Sequence, residues 1–298
     1  MLKTINKYYQ LSFSEYLKIF IALGKVKITF FVSVSAALGF ILANGRISFG
    51  IILPVLGVFI LSCGSSAFNQ FQEYRPDAMM NRTKRRPIPI GRIEPFEGFI
   101  IASFLTISGL LLLLFSKNTI AFILGIIALI WYNLVYTPLK KKTSLAVVPG
   151  ALIGAIPPVI GWVSGGGQLA NPQIWALSMF FFIWQIPHFW LLLLIYEEDY
   201  RRAGFPVLSD LFDPEMITKI SYVWITALVS SCMLIPLFGL SNNIWTSMLL
   251  IFAGLWLLWR TKNLLNQYNR RIDARSAFLQ VNFYVLAVAV VLIADSLF

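Results

Sequence analysis

The chain has 298 residues, of which 58% are hydrophobic and only 12% charged, and its mean hydropathy is +0.76. A soluble domain carries roughly 25% charged residues, so this balance excludes a soluble fold and indicates an integral membrane protein whose core is the spanning bundle itself. The net charge of +11 is not read as a nucleic-acid footprint, because its distribution along the chain has a topological explanation.

The first 18 residues of the 25 before the first span are polar and mildly basic. They hold no apolar stretch ending in a small-residue cleavage site, so they read as a cytoplasmic N-terminal segment rather than a cleaved signal peptide. Apolar runs long enough to cross a bilayer, about 17–25 residues each, fall near 26–44, 49–68, 98–116, 119–138, 145–163, 173–196, 218–239, 243–259 and 277–297. The spacing therefore predicts an all-α polytopic fold of nine transmembrane helices. Turn residues at Asn44-Gly45, Ser116-Lys117-Asn118, Gly165-Gly166-Gly167 and Ser241-Asn242-Asn243 mark short loops on one side of the membrane. The opposite side receives the N-terminus and the connections 69–97, 139–144, 197–217 and 260–276. Around these segments lie 22 of the 24 Lys and Arg residues; only Arg46 and Lys117 fall on the other side. The positive-inside rule then places the N-terminus and the charged connections in the cytoplasm and the C-terminus outside.

The segment Asn69 to Pro87 carries the most chemistry. Two carboxylates, the Asn69 amide among others, and five cationic side chains interrupt an otherwise oily chain, and ionisable groups at a membrane edge are functional candidates by default. Asn69, Glu73 and Asp77 are spaced i, i+4, i+8, which puts their oxygens on one helix face. Hard oxygens so arranged suit Mg²⁺, which shares its shell between one or two carboxylates, water and substrate phosphates. The basic run Arg82-Thr83-Lys84-Arg85-Arg86 follows at once, ready to hold those phosphates.

A second constellation, Trp184-Gln185-Ile186-Pro187-His188-Phe189-Trp190, lies inside the sixth span and contains the one histidine of the chain. Pro187 lacks an N–H, so a kink is expected there. The flanking rings suit a planar aromatic ligand or an allylic cation; the alternative is a helix interface in which His188 is bonded to a neighbour. Glu198, Asp199 and Tyr200 follow at the cytoplasmic helix end. They read either as a second carboxylate set or as a solvated terminus beside Arg201 and Arg202. The two clusters, 69–92 and 185–202, form a weak internal echo, each an oxygen-rich helix end leading into a basic loop.

A third piece is Tyr136-Thr137-Pro138-Leu139-Lys140-Lys141-Lys142. Lysines at a helix end favour its dipole and its orientation, and they also suit a diphosphate clamp. Gly150 and Gly154, then Gly161 and Gly165, allow close helix packing, and Pro157-Pro158 between them implies a break or kink. The basic segment 260–276 reads as a loop facing lipid headgroups. Cys63 and Cys232 sit in apolar runs with no CxxC neighbour and read as small buried hydrophobes.

Asn69-x3-Glu73-x3-Asp77 followed by Arg82-Thr83-Lys84-Arg85-Arg86-Pro87 resembles the first signature of the UbiA-type intramembrane prenyltransferases. Most of that superfamily has Asp in the middle position. Glu73 there, with Tyr136 to Lys141, Trp184 to Trp190 and Asp199-Tyr200-Arg201-Arg202-Ala203-Gly204-Phe205-Pro206-Val207-Leu208, is similar to one branch, the heme O synthases or protoheme IX farnesyltransferases. The resemblance spans roughly residues 25–295. One departure is that no second DxxxD motif stands in the connection after the sixth span; His188 and the Glu198–Tyr200 cluster occupy that region.

The resemblance implies a single prenyltransferase domain over 1–298 in the cytoplasmic (inner) membrane, its nine helices surrounding a central cavity open to the cytoplasm. It implies transfer of farnesyl from farnesyl diphosphate to a vinyl group of heme B. Asn69, Glu73, Asp77 and Asp199 are then the catalytic and Mg²⁺-holding set, and Arg82, Arg86, Lys140 and Lys141 bind the diphosphate. His188 and Tyr200 contact heme. Membrane lipids, and a heme A synthase or terminal oxidase assembly, are the further partners implied. Two alternatives stand beside it: a UbiA-type transferase acting on another aromatic or lipid acceptor, and an ion or small-molecule transporter. The Trp184–Trp190 motif argues against the first, and the confinement of charge to one membrane face against the second.

Overall fold

The structure, a computed structural model, describes residues 12–241, 243–265 and 270–297, without the side chains of 270 and 271. The expected N-terminal segment and the basic connection 260–276 thus lie partly outside the described residues. A short helix α1 (Phe13–Gly24) precedes the spans. Among the described residues nine helical segments are long and apolar enough to cross a membrane. They are α2 (Val26–Asn44), α3 (Phe49–Met79), α4 (Pro95–Phe115), α5 (Thr119–Leu139), α6 (Ser144–Ser164), α7 (Pro172–Ile195), α9 (Pro214–Leu237), α10 (Ile244–Leu265) and α11 (Ile272–Leu297). A short helix α8 (Glu197–Arg202) lies between α7 and α9. The all-α, nine-span expectation agrees with this architecture.

Local chemistry sets the ends. Ser12 and Glu15 form a reciprocal cap on α1, and Glu94 with Glu97 does the same for α4, where Pro95 opens the helix. Asn118 accepts the Ala121 N–H at 2.9 Å to start α5. Pro172 and Pro214 open α7 and α9, positions where a missing N–H costs nothing. The outer faces carry large exposed apolar side chains such as Phe104, Trp245 and Phe252, which suits lipid contact.

Between helices in lipid there is little hydrophobic drive, so close packing must hold the bundle. Helix α2 packs on α3, α6 and α11; α3 packs on α4; α6 packs on α5 and α7; α7 packs on α9 and α11; and α10 packs on α11. The α2–α6 crossing depends on small residues. A Cβ at Gly161 would fall on the carbonyl oxygen of Ala36, and one at Gly39 on that of Pro158. The interior is filled by Leu113, Ile160, Leu177, Phe180 and Tyr284, all buried.

One local expectation, a break at Pro157-Pro158, is corrected. The helix runs through Pro157 and Pro158 without a break; the irregularity lies earlier, where a 3₁₀ turn (Ser144–Ala146) and a turn at Ala151 interrupt α6. A Cβ at Gly154 would fall on the Gln185 side chain of α7, so this glycine serves the packing of α6 on α7. Pro187 also sits inside continuous helix, which lacks one backbone donor there. Trp131–Tyr136 is π-helical, an irregularity that hydropathy does not signal.

Candidate active site

Helix α3 carries the metal-capable row because it continues past its apolar part to Met79. Asn69, Glu73 and Asp77 are only 2%, 3% and 3% exposed, so a helix face that should meet water is covered. What covers it is cationic. Lys140 at the end of α5 meets Glu73 Oε2 at 2.6 Å, and Arg86 meets Asp77 Oδ2 at 2.5 Å. Asn69 Nδ2 donates to Glu73 Oε2 at 2.9 Å and to Thr137 Oγ1 at 3.3 Å, while its Oδ1 accepts from Lys25 at 3.2 Å. Burial alone would push Lys140 down; the Glu73 carboxylate beside it outweighs this and raises it. Lys25 is pushed well below the usual lysine range by burial first, then by the neighbouring Arg86 and Lys140 cations.

The π-helical turn of α5 is pinned to α3 by its own polar contacts. Asn133 exchanges hydrogen bonds with Ser65, accepting at 2.6 Å from its hydroxyl and donating at 3.0 Å to its carbonyl. Gln72 donates to the Asn133 carbonyl at 3.0 Å. Thr137 donates to the Tyr132 carbonyl, five residues back. The turn thereby brings Thr137 and Lys140 onto Asn69 and Glu73. Lys141 reaches only the Gln72 carbonyl, at 3.5 Å, from an exposed position.

The loop after α3 is tied to α8. Asp199, buried, accepts the Arg82 backbone N–H at 3.0 Å and lies 3.7 Å from Arg202. The Arg82 guanidinium stacks over the rings of Tyr196 and Tyr200 and donates to the Tyr200 hydroxyl at 3.3 Å. Glu197 accepts from Ser209 and Arg201, and Arg201 also holds Asp210. Asp199 therefore joins the first motif through its backbone, and Tyr200 through Arg82.

His188 lies apart, deeper on α7. Its Nδ1 is 2.7 Å from Asn282 Oδ1 of α11, and its ring packs against Trp184, Phe189 and Phe278. An aromatic bridge links the two clusters: Lys140 sits 5.7 Å from the Tyr136 ring centre, and Tyr136 packs at 6.2 Å on Phe189, next to His188.

The donor chemistry fits Mg²⁺. Glu73 Oε1 is buried with no partner, a hard oxygen left unspent, and among the described residues no three His, Cys, Asp or Glu side chains gather into a closed cage. Mg²⁺ prefers such a partial shell, completed by water and phosphate. Sequence reasoning did not find Lys25, Thr137, Asn133 or Asn282. Lys25 had one available signal, a cation at the very start of an apolar run; the others depend on contacts between distant helices.

Residues 31–286 match the UbiA prenyltransferase family. The chain belongs to that family. Among curated relatives, a protoheme IX farnesyltransferase of Geobacter sulfurreducens is 41% identical over 191 residues, covering 63% of this chain and 69% of that one. One of Nitratidesulfovibrio vulgaris is 33% identical over 271 residues, covering 91% and 92%. Of solved structures, a digeranylgeranylglyceryl phosphate synthase aligns with a TM-score of 0.77 at 18% identity, covering 95% of this chain and 99% of that one. A UbiA homolog from Archaeoglobus fulgidus bound to GPP and Mg²⁺ aligns with a TM-score of 0.69 at 16% identity, covering 93% and 99%. At such identities the structural likeness is one of fold, and it is the UbiA fold.

Proposed function

We propose that this UbiA-family chain transfers the farnesyl group of farnesyl diphosphate to a vinyl group of heme B, giving heme O. One observation carries the acceptor: the chain aligns over nine-tenths of its length with a relative named for that reaction. The donor half is supported by the row Asn69, Glu73 and Asp77 walled by Lys25, Lys140 and Arg86. Arg86 and Lys140 balance the two carboxylates, and Lys25, whose burial favours the neutral amine, would take up a proton beside an arriving diphosphate.

Asn69, Glu73 and Asp77 would hold Mg²⁺, with Asp199 as a further candidate ligand. When bound, the ion would neutralise charge on the diphosphate oxygens. Arg86, Lys140 and the more exposed Arg82 and Lys141 stabilise the charge that grows on the leaving group, electrostatic work that is strongest where water is excluded. The C1–O bond breaks and diphosphate takes the electron pair. The vinyl π-electrons then attack the allylic carbon, forming the new C–C bond. Water adds to the cation left beside the porphyrin and loses a proton, which yields the hydroxyethylfarnesyl group. Tyr136 and Phe189 offer π-faces along the path between the clusters. His188 is proposed to bind the heme iron, neutral imidazole being a usual axial donor, and Tyr200 to contact the porphyrin from the loop side. The charged end is proposed to face the cytoplasm across the inner membrane, with the C-terminus outside, and the product to pass to a heme A synthase or terminal oxidase assembly.

The deciding experiment supplies purified protein with heme B, farnesyl diphosphate and Mg²⁺ and follows product mass. A farnesylated, hydrated heme is expected. Turnover of a different aromatic acceptor with heme left unchanged would replace this reading by that of another UbiA-type transferase.

A further inference from the structure

The geometry points to Asn282 as the positioning residue that sets which nitrogen His188 presents to the heme iron; this rests on the heme reading above. Nothing in the sequence marks Asn282, which lies 94 positions from His188 and on a different helix. Its amide orientation is fixed locally. Nδ2 donates to the Phe278 carbonyl, one turn earlier on α11, at 2.5 Å. A carbonyl oxygen only accepts, so the atom facing it must be the NH₂ group and not the amide oxygen. Oδ1 is thereby turned to the imidazole, 2.7 Å from Nδ1.

An amide oxygen has no proton to give, so Nδ1 must carry the hydrogen of that bond. In the neutral ring the remaining nitrogen, Nε2, then holds the lone pair. The contact selects the tautomer that ligates iron through Nε2. It also holds the ring plane, together with the Trp184, Phe189 and Phe278 rings packed around it. The backbone carbonyl of Phe278, the Asn282 amide and His188 form a relay in which each member orients the next. Metal-bound histidines are commonly held this way, and losing the outer partner costs about 10–100-fold in affinity.

Asn282→Asp, Asn282→Leu and His188→Ala, each purified in detergent, are compared with the parent by heme B titration, absorption spectrum and heme reduction potential. Asn282→Leu is expected to weaken heme binding about 10–100-fold and to shift the absorption band toward that of His188→Ala. Farnesyl diphosphate binding, read separately, should stay at the parent value. Asn282→Asp should keep heme bound but lower its potential, because a carboxylate makes the imidazole a stronger donor. Parent-like spectra and potential in both Asn282 variants, with His188→Ala altered, would overturn the positioning role while leaving the heme reading intact. A His188→Ala protein that binds heme as the parent does would overturn ligation by His188 itself. Should Asn282→Leu fail to fold, the potential of Asn282→Asp decides alone: lowered supports the role, unchanged refutes it.

Discussion

Replacing Lys140 by methionine probes the strongest contact of the acidic row. Its ammonium lies 2.6 Å from Glu73 Oε2, with side chains 20% and 4% exposed. At that separation and an effective dielectric constant of about 20, the gross attraction is on the order of 6 kcal/mol, against which the desolvation of both groups must be set. Removing one member of such a pair leaves a buried charge uncompensated and costs about 3–5 kcal/mol. Lys140→Met should therefore lower the unfolding free energy in detergent by roughly that amount. The double variant with Glu73→Gln should recover most of it, because nothing charged is then left unpaired. Activity should not recover: the leaving group loses a cation in both proteins, for a drop in kcat of about 10²–10³-fold. Unfolding monitored by tryptophan fluorescence gives the stability cycle, and product mass gives kcat. A double variant no more stable than Lys140→Met, or one that regains activity, would refute the account of Lys140 as both ion-pair partner and diphosphate clamp.

Asp77→Asn should leave the protein folded and reduce turnover at least about 100-fold; retained Mg²⁺-dependent turnover would remove Asp77 from the site. For Lys25→Met the KM for farnesyl diphosphate should rise about tenfold, roughly 1.4 kcal/mol of lost anion binding, with the KM for heme unmoved, as steady-state kinetics would show. Gly161→Val places a side chain on the Ala36 carbonyl and should destabilise by at least about 1–3 kcal/mol, visible as loss of the monodisperse peak in size-exclusion chromatography. Asp210 is held below the usual carboxylate range by the Val207 backbone N–H and then by Arg201. Because its folded value is depressed, its contribution is present above the ordinary aspartate value, about pH 4, and fades as pH falls through the folded one. The protection of the Val207 amide, its exchange measured relative to a free amide at the same pH, should fall in that acid window.

The spans and the acidic row were legible because each rests on short-range periodicity: apolar length for the one, a four-residue step for the other. Glu73 and Asp77 on one helix face needed only the assumption that α3 outlasts its apolar stretch. Their partners were less evident. The basic residues could be named as a set, but which of them meets which carboxylate depends on how α5 and the loop after α3 fold over α3. The contact of Asp199 with the Arg82 backbone amide leaves no trace in composition. His188 was recognisable as an unusual intramembrane group, whereas its partner Asn282 is an ordinary amide on the last helix. Pro157 and Pro158 misled for the converse reason: the proline rule describes an isolated helix, and α6 is held by neighbours on both sides.

The π-helical turn at Trp131–Tyr136 acts as a phase shifter. Each residue of a helix advances the side-chain direction by about 100°, so an extra residue in a wide turn rotates everything beyond it by that angle relative to everything before it. The lipid-facing half of α5 and its Lys140-bearing end can therefore each meet their own surroundings, though no single helical register would satisfy both. Deleting one residue from this turn would keep the span's length and hydropathy almost unchanged while swinging Lys140 away from Glu73. One position of chain length, with no change in side-chain chemistry, thus separates an aligned clamp from a misaligned one.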